Sequence, residues 1–411
     1  MKVSSGNSLK HVVLIGLNFQ PRRSTGDKNF WAELVPLLAK RLRRITVLSV
    51  RHSQQKYEEY KLDECHISVR YYSPRFLETP DAEYKRPRIF WRKGPFPSWL
   101  GVIEKTLNIG RICSQLKKLY RENPYNHVHL MDNFGLGNRL IATNVPTGAS
   151  VSAMAYQGKN RLVYDRYLTL SYDSPNLTVV PSSMTFAKKL GQIGIDKKRI
   201  VCIRWGVKLS PRNPTTKDRK KMKLVLSLPI DKPLLLWSGY TSQVRRKDFL
   251  YAHKIAEESL KKGLDGVFCF AFKPESFEKK FTSFHNPGKG IYVMPTTAQE
   301  FSLLQRCADI FYSLVINTRC ILAPPLTWIE ILRLGVPILT TRVPGADEIV
   351  SDGKTGYLAN SPRELIERVF VITKQYEKMI PYCYEKVATT YDIEYIAKQY
   401  LRLWLHRRKE I

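Results

Sequence analysis

Short apolar runs alternate with amphipathic stretches along most of the chain. Residues 11–19 (HVVLIGLNF) predict a buried strand, and residues 20–26 (QPRRSTG) predict a turn-rich loop. Apolar positions then recur at helical spacing over residues 27–43, before a second apolar run at residues 45–50 (ITVLSV). This strand–loop–helix–strand order is a βαβ unit, which indicates a parallel sheet in an α/β fold.

The alternation continues to the end of the chain with one polar interruption. Residues 211–223 (PRNPTTKDRKKMK) are rich in proline and cations and predict a linker. Before the linker, further strands are predicted at residues 127–131, 149–153, 177–180 and 200–203, with a helix near 185–191. After it, the predicted strands are 234–237, 267–271, 291–294, 309–313 and 336–340, and the predicted helices are 249–261, 298–306 and 327–334. A last amphipathic helix is predicted over residues 391–408, and we expect it to return to the first unit.

Composition allows two domains of ordinary size. The chain has 411 residues, of which 43% are hydrophobic. No apolar run approaches the roughly 18 residues that span a bilayer, and residues 1–10 are polar, so we expect a cytoplasmic protein. The 7 cysteines include no C-x-x-C pair. That pattern argues against a disulfide framework or a zinc site, and we expect each cysteine to be a small core residue.

The net charge is the unusual property of the composition. The chain carries 67 Lys and Arg against 36 Asp and Glu, a formal net charge of +31. Such a surface attracts nucleic acid, an anionic membrane or a phosphate-rich substrate. Net charge alone does not choose among these three partners, so the choice depends on motifs.

The most informative motif lies at residues 324–359 (PPLTWIEILRLGVPILTTRVPGADEIVSDGKTGYLA). It contains Glu330 on a predicted helix, Gly-x-Pro at 335–337, a short strand, Gly345, Glu348 and a glycine-rich exit at 352–356. This block resembles the donor site of GT-B glycosyltransferases of family 4. Residues 203–208 (IRWGVK) are similar to the element that ends the first domain of that family.

The resemblance implies a GT-B fold, in which two Rossmann-like domains with parallel sheets face each other across a cleft. Residues 1–208 would form the acceptor-side domain, residues 209–385 the donor domain, and residues 386–411 a helix that crosses back to the first domain. The implied activity is transfer of a sugar from a nucleotide-sugar donor to a glycan or lipid-linked acceptor, with retention of anomeric configuration. The resemblance implies no cofactor and no metal, and no D-x-D sequence supports the metal-dependent GT-A architecture.

The resemblance also assigns donor-site residues. Glu330 would accept hydrogen bonds from the donor ribose, and Gly239 would close the first strand of the second domain. Arg245 takes the place of the family's diphosphate-binding Lys, with Arg246 and Lys247 beside it; Arg can bind a diphosphate bidentately. A structural Glu330 and a solvated basic run remain the alternatives. Two departures stand out, because the family's Arg and second Glu are replaced by the residues Tyr240 and Leu322.

On the acceptor side, the loop that contains Gly26 resembles the family's glycine loop. Asp132 follows a predicted strand, and Tyr156 lies in the segment 155–158 (AYQG), where the family has a His. We expect these three residues to line the acceptor side. Because retaining transfer in this family depends on donor positioning and leaving-group stabilisation, the loss of single side chains affects the mechanism more than the fold.

Residues 85–99 (KRPRIFWRKGPFPSW) interleave cations with aromatic rings. This composition favours a membrane surface, with Arg88, Trp91, Arg92 and Lys93 as contacts, because aromatic rings sit at headgroup level and cations meet anionic lipid. Single-stranded nucleic acid and an ordinary solvated loop are the alternatives. No RNA-binding signature is visible, so we do not expect nucleic acid as a partner. The alternatives to a glycosyltransferase are a non-catalytic GT-B-like subunit and a nucleic-acid-binding protein.

Overall fold

The structure, a computed structural model, describes residues 10–17, 27–50, 57–62, 64–72, 97–132, 134, 136–155, 161–210, 213–239, 246–274, 277, 279–316 and 324–405. The strands of these residues are β1 (His11–Leu17), β2 (Arg44–Val50), β3 (Tyr57–Leu62), β4 (Cys65–Tyr72), β5 (His127–Leu130), β6 (Ser150–Met154), β7 (Leu177–Val180), β8 (Leu234–Gly239), β9 (Val267–Phe272), β10 (Ile291–Pro295), β11 (Ile310–Ser313), β12 (Ile338–Thr341) and β13 (Gly356–Ala359). The helices are α1 (Asp27–Ala39), α2 (Pro97–Glu122), α3 (Gly137–Asn144), α4 (Arg161–Tyr172), α5 (Met184–Gln192), α6 (Thr216–Val225), α7 (Arg246–Lys261), α8 (Ala298–Cys307), α9 (Leu326–Leu332), α10 (Pro362–Thr390) and α11 (Ile393–Leu405).

The chain divides into two compact units. The first comprises Met1–Trp205 together with Ile393–Ile411, and the second comprises Gly206–Asp392. The sheet of the first unit has the order β3-β4-β2-β1-β5-β6-β7, parallel throughout except that β3 pairs antiparallel with β4. The sheet of the second unit has the order β10-β9-β8-β11-β12-β13 and is parallel throughout. The predicted α/β class with parallel sheets is confirmed.

The central strands are apolar because both faces of a parallel sheet are covered by helices. β9 (VFCFAF) is buried at every position, as is β5. The aromatic side chains of the second unit meet on one side of β8 and β9, where Phe249 of α7 packs edge-to-face against Phe270 and Phe272. Such pairs stabilise a core beyond the area that they bury.

Helix α11 belongs to the first unit. It contacts α1, and its buried residues are Ile393, Ile396, Ala397, Tyr400 and Trp404. Tyr400 and Trp404 pack against His129 of β5, with ring centroids 5.3 and 5.4 Å from the imidazole. The helix begins two residues later than predicted, and residues 406–408 lie outside the described residues.

Some predicted elements were wrong. The predicted linker contains most of α6, which begins with a capping box between Thr215 and Asp218. Residues 200–203 form only an isolated bridge, between Val179 and Ile200, and no strand. The sequence pattern also missed β3, β4 and α2. β3 (YEEYKL) alternates between exposed and half-buried positions at the edge of its sheet, so its apolar signal is weak.

The prediction that the cysteines are core residues is confirmed for five of them. Buried thiols are those of Cys65, Cys113, Cys269, Cys307 and Cys383. Cys202 is half-buried, and Cys320 lies outside the described residues. Burial raises the pKa of Cys65 to about 11, so this thiol stays protonated at neutral pH. Among the described residues, no helix is long and apolar enough to cross a bilayer.

Candidate functional site

The carboxyl ends of the strands in the second sheet meet at one edge. β8 lies at its centre, and the chain passes to β9 on one side before it returns to β11 on the other. This reversal of direction between β8 and β11 is a topological switch point. Ligands of open α/β sheets bind outside the strand ends at such a point.

The buried carboxylate of Asp248 fixes the segment that follows β11. Asp248 lies in the first turn of α7 and is 6% exposed. Its Oδ1 accepts a hydrogen bond from the backbone N–H of Ile316 at 2.8 Å. A carboxylate at this position also interacts favourably with the helix dipole. The start of α7 and the exit from β11 are thereby joined at the switch point.

Side-chain hydroxyls hold the same segment to β12 and α9. Thr341 accepts a hydrogen bond from the backbone N–H of Val315 at 3.0 Å and donates to the Val315 carbonyl at 2.6 Å. Trp328 of α9 is fully buried and donates its indole N–H to the hydroxyl of Ser313 at 2.9 Å. Bonds to both neighbouring elements leave this segment few alternative conformations.

Glu330 lies on helix α9, which is joined to the end of β11 by the bond from Trp328 to Ser313. Four of the seven helix residues are buried, namely Trp328, Ile329, Ile331 and Leu332. Glu330 itself is half-buried. Because the buried residues fix the helix against the sheet, the position of the Glu330 backbone is set by packing.

Two glycines of the motif are required by close packing. Gly335 has φ +70°, and an added Cβ would lie 2.6 Å from the Tyr384 ring. Gly356 has φ +148°, and an added Cβ would lie 1.8 Å from the carbonyl oxygen of Ile338 on the neighbouring strand. Asp352 accepts a hydrogen bond from the backbone N–H of Leu358 at 2.9 Å. The glycine-rich exit is therefore a structural turn that begins β13.

Comparison with known proteins decides the fold. No protein-family profile matches the chain. A probable sucrose-phosphate synthase from Thermosipho melanesiensis is 27% identical over 161 residues, which are 38% of this chain and 38% of the relative. The solved sucrose-phosphate synthase of Thermosynechococcus elongatus matches with TM-score 0.70 and 14% identity over 96% of this chain and 98% of its own. Anabaena HepE in complex with UDP matches with TM-score 0.64 and 12% identity over 96% of this chain and 99% of its own.

The chain has the GT-B fold of glycosyltransferases. HepE has also been solved with UDP-glucose, in a structure that matches this chain with TM-score 0.61 and 12% identity over 95% of this chain and 98% of its own. The GT-B prediction from residues 324–359 is confirmed at the level of the fold.

In this GT-B chain, part of the predicted donor site falls on described residues. Gly239 ends β8, where an added Cβ would lie 2.3 Å from the Trp237 ring. Lys247 is exposed in the first turn of α7, next to Arg246, which begins the helix and whose side chain is not described. Arg245 and Tyr240 lie outside the described residues, as does Leu322. Of the predicted donor-site residues at the switch point, the structure therefore describes Gly239 at the end of β8 and Lys247 beside Asp248 in the first turn of α7.

On the acceptor side, only Asp132 falls on described residues. It lies two residues after β5 and is half-buried. An added Cβ at Gly16 of β1 would lie 3.2 Å from its Oδ2, so the carboxylate sits beside the end of the central strand. Other predicted contacts lie outside the described residues, namely Gly26, Tyr156, Arg88, Trp91, Arg92 and Lys93.

Three buried histidines of the first unit could be mistaken for catalytic groups. His127 bonds the hydroxyls of Ser150 and Ser152 at 2.6 and 2.7 Å, and His129 bonds Ser152 at 2.7 Å. Burial lowers the pKa of His129 to about 3 and that of His11 to about 4. All three belong to the core beneath helices. Within the part of the chain that the structure describes, no three His, Cys, Asp or Glu side chains are grouped to hold a metal ion.

Sequence reasoning missed Asp248, although a signal was present. The residue stands at the third position of α7, where acidic side chains favour the helix N-terminus. Its partner, Ile316, is 68 residues away in the chain, so no local pattern connects the two.

Proposed function

We propose that the chain is a glycosyltransferase that transfers a sugar from a nucleotide-sugar donor to a glycan or lipid-linked acceptor. The observation that carries the proposal is the joined edge of the second sheet, where Asp248 and Thr341 fix the segment after β11, and Trp328 joins α9, which carries Glu330, to the end of β11. A structural neighbour supports the same activity, since HepE was solved in complex with UDP and with UDP-glucose.

In the proposed complex, the donor lies along the strand ends of the second unit. Glu330 accepts hydrogen bonds from the ribose hydroxyls. The diphosphate lies at the N-terminus of α7, which has 16 residues and begins at Arg246. Backbone N–H groups and the helix dipole favour an anion there. Arg245, Arg246 and Lys247 add positive charge, and Gly239 lets the diphosphate approach the end of β8.

The proposed reaction needs little acid–base chemistry from side chains. The bond between the anomeric carbon and the diphosphate breaks, and a bond from the same carbon to an acceptor hydroxyl oxygen forms on the same face, which gives retention. The acceptor proton passes to the departing diphosphate oxygen. The cations at residues 245–247 stabilise the negative charge that develops on the leaving group, a contribution on the order of 10²- to 10³-fold in rate for one such donor. No cofactor or metal is required in this proposal.

The first unit is proposed to receive the acceptor. Asp132 and the loops that contain Gly26 and Tyr156 would line its side of the reaction. Residues 85–99 would contact an anionic membrane, where a lipid-linked acceptor is found. This arrangement accounts for part of the positive charge of the chain.

A non-catalytic GT-B-like subunit is the second candidate. The observation in its favour is a pair of replacements relative to glycosyltransferase family 4, which the chain resembles. Tyr240 stands where that family has an Arg, and Leu322 stands where it has a Glu. Such a subunit would bind a nucleotide sugar weakly or not at all, and it would release no nucleotide.

Nucleotide release distinguishes the two candidates. The chain is incubated with UDP-, GDP- and ADP-sugars, and free nucleoside diphosphate is measured over time. The enzyme is expected to hydrolyse one donor slowly without acceptor, at the same rate with and without EDTA. Absence of release from every donor would contradict the transferase proposal. Loss of release in EDTA would contradict its metal independence.

A further inference from the structure

Helix α6 buries two of its five cations and exposes two of its three apolar side chains. Arg219 and Lys223 are 6% and 4% exposed, whereas Leu224 and Val225 are 69% and 72% exposed. A surface helix that packs on a core normally does the reverse. The apolar end of α6 therefore contributes little to the core of the second unit, and its exposure requires another explanation.

The buried cations hold this helix in one orientation. Lys223 Nζ lies 2.6 Å from the Asp309 carboxylate, and both side chains are 5% exposed. The same carboxylate accepts a hydrogen bond from the backbone N–H of Leu234 at 2.8 Å. Arg219 donates to two backbone carbonyl oxygens. Because breaking a buried ion pair costs several kcal/mol, α6 cannot readily rotate to bury Leu224 and Val225.

The loop after α6 extends the apolar surface. Lys220 lies 3.0 Å from the Asp231 carboxylate, and Lys223 donates to the Lys232 carbonyl at 2.9 Å. These bonds hold the loop against the helix. Ile230, which precedes Asp231, is 40% exposed. We name Leu224, Val225 and Ile230 the apolar tip.

Exposed cations lie along the edge of the sheet at which the apolar tip stands. Because the second sheet is parallel throughout, the segments that lead into its strands share the edge at which α6 ends. The exposed cations of these segments and of the helix ends beside them include Lys221, Lys232, Lys261, Lys262, Lys289 and Arg306. On the segments that lead into β8, β9 and β10 and on the helix ends beside them, the acidic residues are Asp231, Glu258 and Asp265. Asp231 pairs with Lys220 at 3.0 Å and Asp265 pairs with Lys232 at 3.3 Å, so the remaining exposed cations are in excess. Helix dipoles favour cations at helix C-termini, but they do not account for the apolar tip.

We propose that the apolar tip inserts into an anionic membrane surface while the exposed cations of the same edge contact lipid phosphates. Aliphatic side chains between cations are what an interfacial membrane contact requires. A protein partner fits less well. Three aliphatic side chains supply on the order of 300 Å² of apolar surface, well under the about 800 Å² that each partner buries in a stable protein interface. The tip lies at the amino-terminal edge of the sheet, so membrane contact leaves the carboxyl-end edge of that sheet open. This proposal does not depend on sugar transfer.

Vesicle sedimentation of the full chain tests the proposal. Vesicles of phosphatidylcholine alone are compared with vesicles that also contain phosphatidylglycerol. The double variant Leu224→Ser with Val225→Ser is expected to weaken binding to phosphatidylglycerol vesicles by about tenfold or more, because two aliphatic side chains no longer enter the membrane. The matched control is Leu209→Ser, another exposed leucine of the second unit (40% exposed), which is expected to bind like the wild type. Equal thermal midpoints of the three proteins establish that folding is unchanged.

Several results would overturn the proposal. The wild type must bind phosphatidylglycerol vesicles, and that binding must weaken in high salt, where the Debye length is about 3 Å at 1 M. Unchanged binding by the double variant would exclude the tip as the contact. Binding that the double variant keeps, but that is lost when Arg88, Arg92 and Lys93 are replaced by Ser, would assign the contact to residues 85–99. A change of oligomeric state in the double variant, without a change in vesicle binding, would assign the tip to a second copy of the chain.

Discussion

Two polar regions of the molecule pack against helices: the segment after β11 in the second unit, and the surroundings of β5 in the first unit. They differ in how completely their buried polar atoms are hydrogen-bonded. After β11, the backbone N–H groups of Val315 and Ile316 bond Thr341 and Asp248. Around β5, His127 and His129 bond serine hydroxyls. Four other buried polar atoms there have no hydrogen-bond partner among the described residues, and they belong to the side chains of Trp31, His129, Tyr400 and Trp404.

We propose that the difference separates a binding edge from a structural core. Hydrogen bonds are directional, so they fix atoms in the positions that ligand binding needs. Ring packing buries a large apolar area without fixing direction as strictly. The free energy from that apolar area offsets the cost of leaving the buried polar atoms unpaired. We therefore infer that the edge of the second sheet serves ligand binding, whereas the rings beside β5 hold α11 on the first unit.

The largest expected effect is a loss of folding stability when a ring beside β5 is removed. Trp404 is 2% exposed and stacks near His127 and His129. Trp404→Ala should lower the free energy of unfolding by about 3–5 kcal/mol, the usual cost of removing a buried indole. Urea unfolding followed by circular dichroism measures it. Leu403→Ala, at a half-buried neighbour, is the control and should cost clearly less. Equal losses in the two variants would contradict a special role for the ring cluster.

The next effect concerns the basic run before α7. Arg245→Ala should lower turnover by about 10²-fold, the scale of losing one group that stabilises developing charge. Arg246→Ala and Lys247→Ala are tested singly, because either can share the role. The readout is nucleotide release, with the thermal midpoint as the check on folding. If none of the three variants changes the rate, the diphosphate is held without these side chains.

A variant of Asp248 tests whether the hydrogen bond that it accepts from Ile316 supports donor binding as well as stability. Asp248→Ala leaves the Ile316 N–H without its partner and should cost about 1–3 kcal/mol of stability, the penalty for one buried unpaired group. Donor binding should weaken as well, because the segment after β11 loses an anchor. Asp265→Ala, at an 82% exposed carboxylate of the same unit, is the control. Unchanged donor affinity in Asp248→Ala would show that the hydrogen bond between Asp248 and Ile316 does not support the donor site.

The smallest effect is a pH dependence that arises in the first unit. Because burial lowers the folded-state pKa of His129 to about 3, the unfolded chain binds the proton more tightly. Neutral His129 therefore contributes fully to the free energy of unfolding above the pKa of histidine in the unfolded chain, about 6.5. This contribution is lost as the pH falls from there toward 3. Between pH 7 and pH 6 the loss should be under about 1 kcal/mol per histidine. His129→Phe should reduce the slope of the urea midpoint against pH, and an unchanged slope would contradict this origin.

The sequence predicted the elements whose apolar residues face the core. Residues 324–359 were interpretable because Gly335 and Gly356 sit where only glycine fits, so spacing reports geometry there. Residues 211–223 predict a linker where α6 stands, because the pattern of that helix is inverted, with Lys223 buried and Leu224 exposed. The bond between Asp248 and Ile316 could not be predicted, since it joins residues that only the folded sheet brings together.

The most direct test of the central claim is donor-induced stabilisation of the wild type and of Glu330→Gln. We expect one nucleotide sugar among UDP-, GDP- and ADP-sugars to raise the thermal midpoint of the wild type, since ligand at 100 times its Kd contributes about 2.7 kcal/mol. Glu330→Gln should unfold at the wild-type midpoint without ligand and lose most of the shift with it. A full shift in Glu330→Gln, or a variant that is already unstable without ligand, would contradict the assignment of Glu330 as the ribose-binding residue.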